Sequence, residues 1–363
     1  MCWWVNRCPK RVGALRVGVT VLARTTLHPR GDLSIDTIRA LACLALVSFH
    51  VVGNSSQSGM ELPDDHWLRL VNLTFADMRM PLFSFLSGFV FVSLARTDKE
   101  PEELLLSKAR RLLVPMLCVG GLFWLARDLS GHVQQPVLSI AIMPFAHFWF
   151  LQATFLIMSV FVVLTWLSGR RDVYVAALLM VLGAGAWITR AVPPENVFSV
   201  IQALYLMPFF MAGYLTRCFG MPKIDRSWTA FVLAVLIGVG ALLATDAVSV
   251  QPFWRRCLTV ACGLIFCFTL LSLQPKSVTL ARLGKMSYAI FLFHVFFTAA
   301  AQAAWLVLWP DVSDPVMWIS GIAVGVIGPI LVYHLITSNA LISFGLLGIK
   351  IPSQRPVGAT KSA

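Results

Sequence analysis

The sequence predicts an all-α fold: a polytopic membrane protein with about ten transmembrane helices and both termini in the cytosol. The first observation behind this prediction is composition, since 58% of the 363 residues are hydrophobic and 13% are charged. Soluble domains, in contrast, carry about 25% charged residues. The second is that apolar stretches long enough to cross a bilayer as helices recur along the whole chain. The third is an unequal distribution of positive charge between alternate loops.

Ten apolar stretches qualify as membrane spans. They cover residues 35–54, 79–95, 111–127, 145–168, 173–189, 197–215, 228–247, 254–273, 286–309 and 316–337. The polar segments between them are too short to fold separately, so we expect one membrane domain over residues 35–340. A basic cytosolic tail, residues 1–34, precedes this domain, and a cytosolic C-terminal tail, residues 341–363, follows it. The N-terminal tail lacks the continuous apolar core of a signal peptide.

The positive charges orient these spans. With the N-terminus in the cytosol, 23 of the 29 Lys and Arg residues fall in cytosolic segments or at the inner end of the first span. The six on the opposite side are Arg69, Arg79, Arg127, Arg190, Arg255 and Arg256. Cytosolic loops of membrane proteins carry an excess of Lys and Arg, so this bias supports the orientation. Topology and attraction to anionic lipids therefore explain the net charge of +12, and we expect no nucleic-acid partner.

The first span contains three ionisable residues, Asp36, Arg39 and His50. Eleven helical steps separate Arg39 from His50, which places both on one side of the helix at depths about 16 Å apart. Ionisable groups inside a membrane usually face a partner, a cavity or a substrate path. An imidazole can take a proton from a hydroxyl, and a guanidinium can hold phosphate or carboxylate. In the alternative, Asp36 pairs with Arg39 as an interfacial anchor, and His50 is a hydrogen-bonded packing residue.

Two later segments offer further candidates, each with a structural explanation beside the functional one. Arg79 begins the second span from the outside, and Ser87 follows on a face of small residues that also suits helix packing. Three cations, Lys108, Arg110 and Arg111, lie in a predicted loop before the third span. Such a loop can grip a polyphosphate, although an ordinary basic cytosolic loop has the same composition.

Two aromatic-rich segments add Trp149 and His294. Trp149 lies two residues after His147 at the outer end of the fourth span, where aromatic belts are common. His294 lies about eight residues into the ninth span among phenylalanines, where a histidine is more often a packing residue than a catalyst. The eight cysteines form no CxxC pair and no Cys/His metal spacing. We therefore expect no metal, no bound cofactor and no disulfide framework.

Six motifs follow one another between residues 35 and 294. They are Asp36-x-x-Arg39 with His50, Arg79-Met80-Pro81-Leu82-Phe83 with Leu86-Ser87-Gly88-Phe89, Lys108-x-x-Arg111 with Pro115, His147-x-Trp149-Phe150-Leu151, Pro208-Phe209-Phe210-x-x-Gly213-Tyr214, and Ser287-Tyr288 with His294. This order resembles the acyltransferase-3 family of integral membrane acyltransferases. It is most similar to the branch that O-acetylates sugars of bacterial exopolysaccharides and lipid-linked oligosaccharides. One position departs from the family pattern Arg-x-x-Arg, because Lys108 keeps the charge but loses the bidentate fork of arginine.

The resemblance implies an enzyme of the bacterial cytoplasmic (inner) membrane. It would move an acyl group, which we expect to be acetyl, from acyl-CoA as a substrate to a hydroxyl of a cell-surface or exported glycan. It also implies that His50 and Arg39 are essential for catalysis. The residues expected to bind substrate are Asp36, Arg79, Ser87, Lys108, Arg110, Arg111, Trp149 and His294. In the expected mechanism the basic loop holds the phosphates of acetyl-CoA, and Arg39 helps to draw the thioester arm inward. His50 then deprotonates a sugar hydroxyl, which attacks the thioester.

Two other function classes remain open. A transporter or flippase for a lipid-linked glycan would line its path with Arg39 and His50. Such proteins are often built from inverted repeats, and the second half of this sequence has no counterpart of that pair. A scaffold or sensor for polysaccharide assembly would use the same ionic residues structurally. Radiolabelled acetyl-CoA separates the three classes, since only the enzyme releases CoA in a reaction that depends on His50.

Overall fold

The computed structural model describes residues 32–53, 55–56, 58–131, 135–220, 224–245, 247–309 and 311–351, and these form helices and no strand. The helices are α1 (Leu33–Val52), α2 (Trp67–Thr74), α3 (Ala76–Val90), α4 (Pro101–Leu129), α5 (Ser139–Ile142), α6 (Trp149–Leu167), α7 (Asp172–Thr189), α8 (Val200–Phe219), α9 (Arg226–Ala244), α10 (Pro252–Leu273), α11 (Val278–Lys285), α12 (Ser287–Leu308), α13 (Asp314–Ile336) and α14 (Ala340–Leu347). Short 3-10 turns lie at Leu94–Arg96, Ala146–Phe148 and Val197–Ser199.

Ten helical segments of the described residues are long and apolar enough to cross a membrane. The predicted fold class and number of spans are therefore confirmed, while the cytosolic position of the termini stays a prediction. The short helices α2, α11 and α14 lie in the connections and at the end, and α5 joins α6 within one span. Residues 1–31 of the predicted N-terminal tail and 352–363 of the predicted C-terminal tail lie outside the described residues.

The predicted loop that carries Lys108, Arg110 and Arg111 is part of a helix, so that prediction is wrong. Helix α4 begins at Pro101, where the missing N–H of proline costs no helical hydrogen bond, and continues for 29 residues. On a helix, residues i and i+3 share a face, whereas i and i+2 point in different directions. Lys108 and Arg111 therefore share a face of α4, and Arg110 does not belong to it.

Helix α14, at the start of the predicted C-terminal tail, packs against α4. The side chain of Asn339 caps its N-terminus by accepting hydrogen bonds from the amides of Leu341 and Ile342. The residue that follows its last turn, Gly348, has a positive φ of 63°. A Cβ at Gly348 would overlap the carbonyl oxygen of Arg110, so this end of α14 covers the backbone of the basic segment.

The centre of the bundle contains α1, α3 and α8, the helices most enclosed by their neighbours, whereas α4 and α9 lie at its periphery. Helices α3 and α8 touch through their backbones. A Cβ on Gly88 would overlap the carbonyl oxygen of Phe210, and a Cβ on Gly213 would overlap that of Phe85. The small face predicted around Gly88 is thus a packing seam between α3 and α8.

Helices α1 and α12 run side by side in the same direction. The thiol of Cys43 on α1 donates to the carbonyl oxygen of Ser287 at the start of α12, at 3.6 Å. Seven residues further along both helices, the ring centroids of His50 and His294 are 4.8 Å apart. Because both helices advance about 10 Å between the two contacts, they keep a common register. This register places His50 beside His294.

Candidate functional site

Three histidine side chains from distant parts of the chain meet in one cluster. His50 lies in the last turn of α1, His147 in the 3-10 turn before α6, and His294 inside α12. Their ring centroids are 4.8 Å apart for His50 and His294, 5.0 Å for His147 and His294, and 6.0 Å for His50 and His147. The structure thus brings together the predicted base His50, the predicted substrate-binding residue His294, and a third histidine that the sequence did not mark as a site residue.

Hydrogen bonds to the backbone determine which nitrogen of His294 is free. Its Nδ1 lies 2.9 Å from the carbonyl oxygens of both Ile290 and Phe291. Carbonyl oxygens only accept hydrogen bonds, so Nδ1 carries the hydrogen, and Nε2 of the neutral ring keeps its lone pair. This Nε2 is buried and has no hydrogen-bond partner among the described residues. His294 therefore offers an acceptor within the histidine cluster.

His50 is the most exposed member of the cluster. The exposed fraction is 6% for His147 and 0% for His294, whereas His50 is partly exposed although its helix is central. Phenylalanine rings enclose His147, with the centroid of Phe148 at 4.0 Å and that of Phe291 at 5.4 Å. A hydroxyl group that enters the site would therefore meet the imidazole of His50, with the other two histidines behind it.

A buried cation, Arg79, lies beside this cluster. Arg79 is the fourth residue of α3 and is 6% exposed. Its Cζ stands 4.0 Å from the ring centroid of Phe49, and that ring is 5.3 Å from the ring of His50. The Nη2 of Arg79 donates to the carbonyl oxygen of Asn72 at 3.1 Å. The structure thus places a predicted substrate-binding residue within electrostatic reach of the predicted base.

Hydrogen bonds between three helices hold the surroundings of Arg79. The Oδ1 of Asn72 on α2 accepts a hydrogen bond from the Ser48 hydroxyl on α1, at 2.9 Å. The indole Nε1 of Trp318 on α13 donates to the same hydroxyl, also at 2.9 Å. The amide nitrogen of Asn72 donates to the carbonyl oxygen of Leu68 at 2.9 Å. Since every one of these groups is paired, Asn72, whose carbonyl oxygen accepts the hydrogen bond from Arg79, is itself held in place.

Arg39 does not belong to the histidine cluster, because about 16 Å of helix α1 separates it from His50. Its guanidinium forms a 3.1 Å ion pair with Asp36, and its side chain remains 30% exposed. The ion pair is the contact that the structural explanation predicts. The partial exposure leaves the guanidinium accessible to a ligand at this end of the bundle.

Arg111 lies at the same end of the bundle as Arg39. One turn after Arg39, Cys43 contacts the start of α12 at Ser287. The next residue of α12, Tyr288, donates a hydrogen bond to the carbonyl oxygen of Arg111, whose guanidinium lies 5.6 Å above the tyrosine ring. Helices α1, α12 and α4 therefore present Arg39 and Arg111 at one level, below the histidine cluster.

Lys108 and Arg110, which are also on α4, lie in different surroundings from each other. The Nζ of Lys108 lies 4.9 Å from the ring centroid of Phe91 at the end of α3. Arg110 is partly buried where α14 covers α4, and its Nε is without a hydrogen-bond partner in the described part of the chain. Lys108 and Arg111 are thus the cations of α4 that share a face, and the three do not form a single grip.

Ser87 and Trp149 lie outside the histidine cluster. The hydroxyl of Ser87 donates to the carbonyl oxygen of Phe83 in its own helix, at 2.8 Å. Ser87 lies about 12 Å from Arg79 along α3, towards the basic end. Trp149 begins α6, is partly exposed, and packs edge-on against Phe150 at 6.1 Å. These two residues remain predictions as substrate contacts.

His147 belongs to a motif quoted from the sequence, but sequence reasoning did not assign it to the site, although a signal for that assignment exists. The predicted topology places the end of the first span and the start of the fourth span on the same side of the membrane. Hydropathy and the charge bias alone therefore give His50 and His147 similar depths. What the sequence does not contain is the lateral arrangement of the helices, which decides whether residues at one depth touch.

A separate cavity of about 240 Å³ lies between α3, α9 and α10. The 2.5 Å ion pair between Asp77 and Arg255 forms part of its wall, and none of the three clustered histidines lines it. Within the described residues, no group of three or more His, Cys, Asp or Glu side chains is placed to hold a metal ion. The histidine cluster beside Arg79 is therefore the candidate site, because it combines an accessible base with a buried cation.

Comparison with known proteins gives one match. A family model described as an acyltransferase domain matches residues 32–334, which extend from the start of α1 into the last turn of α13. Searches of curated proteins and of solved structures gave no match. The matched region contains every predicted site residue and all three clustered histidines.

Proposed function

Because the chain belongs to the acyltransferase-3 family and is a membrane acyltransferase with ten potential spans, we propose that it transfers an acetyl group from acetyl-CoA to a glycan hydroxyl. The acceptor is a cell-surface or exported glycan, free or lipid-linked, and the enzyme resides in a bacterial cytoplasmic membrane. Acetyl-CoA is consumed as a substrate, and the chain's own side chains supply the acid–base chemistry.

The observation that carries this proposal is the partly exposed imidazole of His50 at the front of a histidine cluster. His50 takes the proton of the acceptor hydroxyl as the oxygen attacks the thioester carbonyl carbon. The carbon–sulfur bond then breaks, and the departing thiolate of CoA receives the proton from the imidazolium. The products are the acetyl ester and CoA, and His50 returns to its starting state. General-base help of this kind contributes about 10² to 10⁴-fold in rate.

The donor binds at the end of the bundle that contains Arg39 and Arg111. Both guanidiniums are at least partly exposed, and arginine binds phosphate with its planar fork. Lys108, on the same face of α4 as Arg111, adds a third positive charge. From this level the extended pantetheine arm of CoA follows α1 and α12 towards His50. The positive-inside rule supports a cytosolic location for this end, where acyl-CoA is available.

Acetyl transfer by the purified protein tests this proposal. We expect protein in lipid nanodiscs to move label from radiolabelled acetyl-CoA to isolated bacterial surface glycan, with release of one CoA for each acetyl group transferred. In His50→Ala, transfer should fall by about 10² to 10⁴-fold while acetyl-CoA still binds, because the base acts on the acceptor. In Arg111→Ala and Arg39→Ala, acetyl-CoA binding itself should weaken.

Full transfer activity in a folded His50→Ala protein would contradict the proposed mechanism. Unchanged acetyl-CoA affinity in both arginine variants would contradict the donor site. In reconstituted vesicles, movement of a lipid-linked glycan across the bilayer without CoA release would instead identify a flippase.

A further inference from the structure

Arg79 is a buried positive charge that no carboxylate of the described part of the chain neutralises. Within the described residues, no carboxylate lies within ion-pair distance of its guanidinium, and its Nε and Nη1 have no hydrogen-bond partner. These two nitrogens carry three N–H bonds, since Nε has one and a terminal nitrogen has two. The side chain therefore keeps unused donors next to the histidine cluster, in a region where solvent does not replace the missing acceptors.

Two neighbouring charges have ion-pair partners, whereas Arg79 has none among the described residues. Arg69, which is 3% exposed, pairs with Asp64 at 3.2 Å and donates to the carbonyl oxygen of Leu62 at 2.5 Å. Asp77, two residues before Arg79, is bound by Arg255 at 2.5 Å. Asp64 and Asp77 are thus paired elsewhere, and the contacts of the Arg79 guanidinium within the described residues are with Asn72 and the ring of Phe49.

A buried guanidinium with free donors is stabilised by any anion that enters the site. Burial of a charge without a partner is costly, so an ionisable residue inside a membrane protein normally faces a counter-charge or a ligand. In acyl transfer a negative charge develops on the carbonyl oxygen, and donors fixed in a dry site stabilise it more strongly than water does. Arg79 has the charge, the donors and the rigid support that this role requires.

We propose that Arg79 forms the oxyanion site of the acyl transfer reaction and is therefore a catalytic residue. This inference rests on the proposed function. As the acceptor oxygen bonds to the thioester carbonyl carbon and His50 takes the hydroxyl proton, the carbonyl oxygen becomes negative and accepts hydrogen bonds from Arg79. When the tetrahedral intermediate collapses, the carbonyl double bond re-forms, the carbon–sulfur bond breaks, and the thiolate receives the proton from His50. The thioester carbon is thus held between the base and the cation.

The test compares Arg79→Gln and Arg79→Lys with wild type in two reactions, glycan acetylation and the slow hydrolysis of acetyl-CoA by water. An oxyanion forms whichever nucleophile attacks. We therefore expect Arg79→Gln to lower kcat of both reactions by a common factor, about 10² to 10³-fold. The KM for glycan and the Kd for acetyl-CoA should change little. Arg79→Lys keeps the charge, so it should recover part of the lost rate.

A matched control is Arg282→Gln, which removes the same charge from an exposed position of α11 and should leave both rates unchanged. Retained acetyl-CoA binding shows that the Arg79 variants are folded. If Arg79→Gln does not fold, the kcat of Arg79→Lys alone tests the inference. Unchanged kcat would overturn the inference. The inference would also be overturned if the KM rose only for acidic glycans while the hydrolysis of acetyl-CoA stayed normal. Arg79 would then bind a fixed anion of the acceptor. If wild type does not turn over acetyl-CoA, or His50→Ala is fully active, the proposed function itself fails.

Discussion

At the scale of single residues, the site depends on three imidazoles that pack together, and no carboxylate among the described residues pairs with any of them. Neutral histidines can be buried next to each other at little electrostatic cost, whereas two imidazolium ions cannot. In the proposed reaction, His50 takes the proton of the acceptor hydroxyl and returns it to the departing thiolate. The hydrogen-bond acceptor behind His50 is Nε2 of His294, whose orientation its own helix determines.

This arrangement predicts different effects for two substitutions of His294. An amide oxygen in His294→Gln can accept a hydrogen bond near the place of Nε2, whereas His294→Leu removes the acceptor and keeps the apolar volume. We expect His294→Leu to lower kcat of acetyl transfer on the order of 10²-fold, with His294→Gln retaining clearly more activity. Measurement of kcat and KM for both variants shows whether the acceptor at His294 contributes to the rate. Equal losses in the two variants would indicate a packing role for His294.

At the scale of helices, the contact between α3 and α8 determines where Arg79 stands. Gly88 and Gly213 allow the two backbones to touch, and α3 in turn presents Arg79 to α1. Glycine is required here because any side chain would overlap a carbonyl oxygen of the partner helix. In membrane bundles such close approach supplies the packing energy that the hydrophobic effect provides in water.

The seam predicts a large difference between glycine substitutions. Gly88→Ala should lower the free energy of unfolding by roughly 1–3 kcal/mol, because the added methyl group meets backbone that cannot move aside. Gly185→Ala on α7 is the matched control, since nothing lies within 4 Å of its added Cβ. There the better helix propensity of alanine should leave stability unchanged or raise it by up to about 1 kcal/mol. Thermal unfolding in detergent micelles measures both, and equal stability of the two variants would contradict the seam.

Helix α4 shows that the secondary structure of a segment determines which of its side chains can bind the same ligand. In a loop, Lys108, Arg110 and Arg111 could all turn towards one polyphosphate. In a continuous helix, the 100° rotation per residue separates Arg110 from the other two. Helix α14 also covers Arg110, which separates this residue further from Lys108 and Arg111. Donor binding on α4 is therefore expected from Arg111, with Lys108 beside it.

At the scale of the whole molecule, the proposed donor residues and the histidine cluster occupy different levels of one bundle. Helix α1 spans both levels, with Arg39 at one and His50 at the other, and α12 runs parallel to it. A substrate with an acyl group at the end of a long arm fits this arrangement. In this arrangement the charged part of CoA stays at the surface, and the long arm brings the thioester to His50.

The orientation of the bundle can be tested by labelling single cysteines. Asp65 in the connection between α1 and α2, and Lys276 before α11, are both exposed. In a background without the native cysteines, Asp65→Cys should react with a membrane-impermeant thiol reagent in spheroplasts. Lys276→Cys should react only after the membrane is opened. The reverse pattern would place the proposed donor site outside the cytosol and contradict its assignment.

Hydropathy and helical period were enough to predict the class of the fold, the number of spans and the presence of His50 and Arg79 among the polar candidates. These are properties of single segments, so they can be read one segment at a time. The packing of the helices decided that α4 is continuous, that His147 and His294 stand beside His50, and that Arg79 is buried with unused donors. Contacts of this kind depend on the lateral order and rotation of the helices. In a bilayer every apolar face can pack against lipid or another helix, so hydropathy does not encode which helix becomes the neighbour.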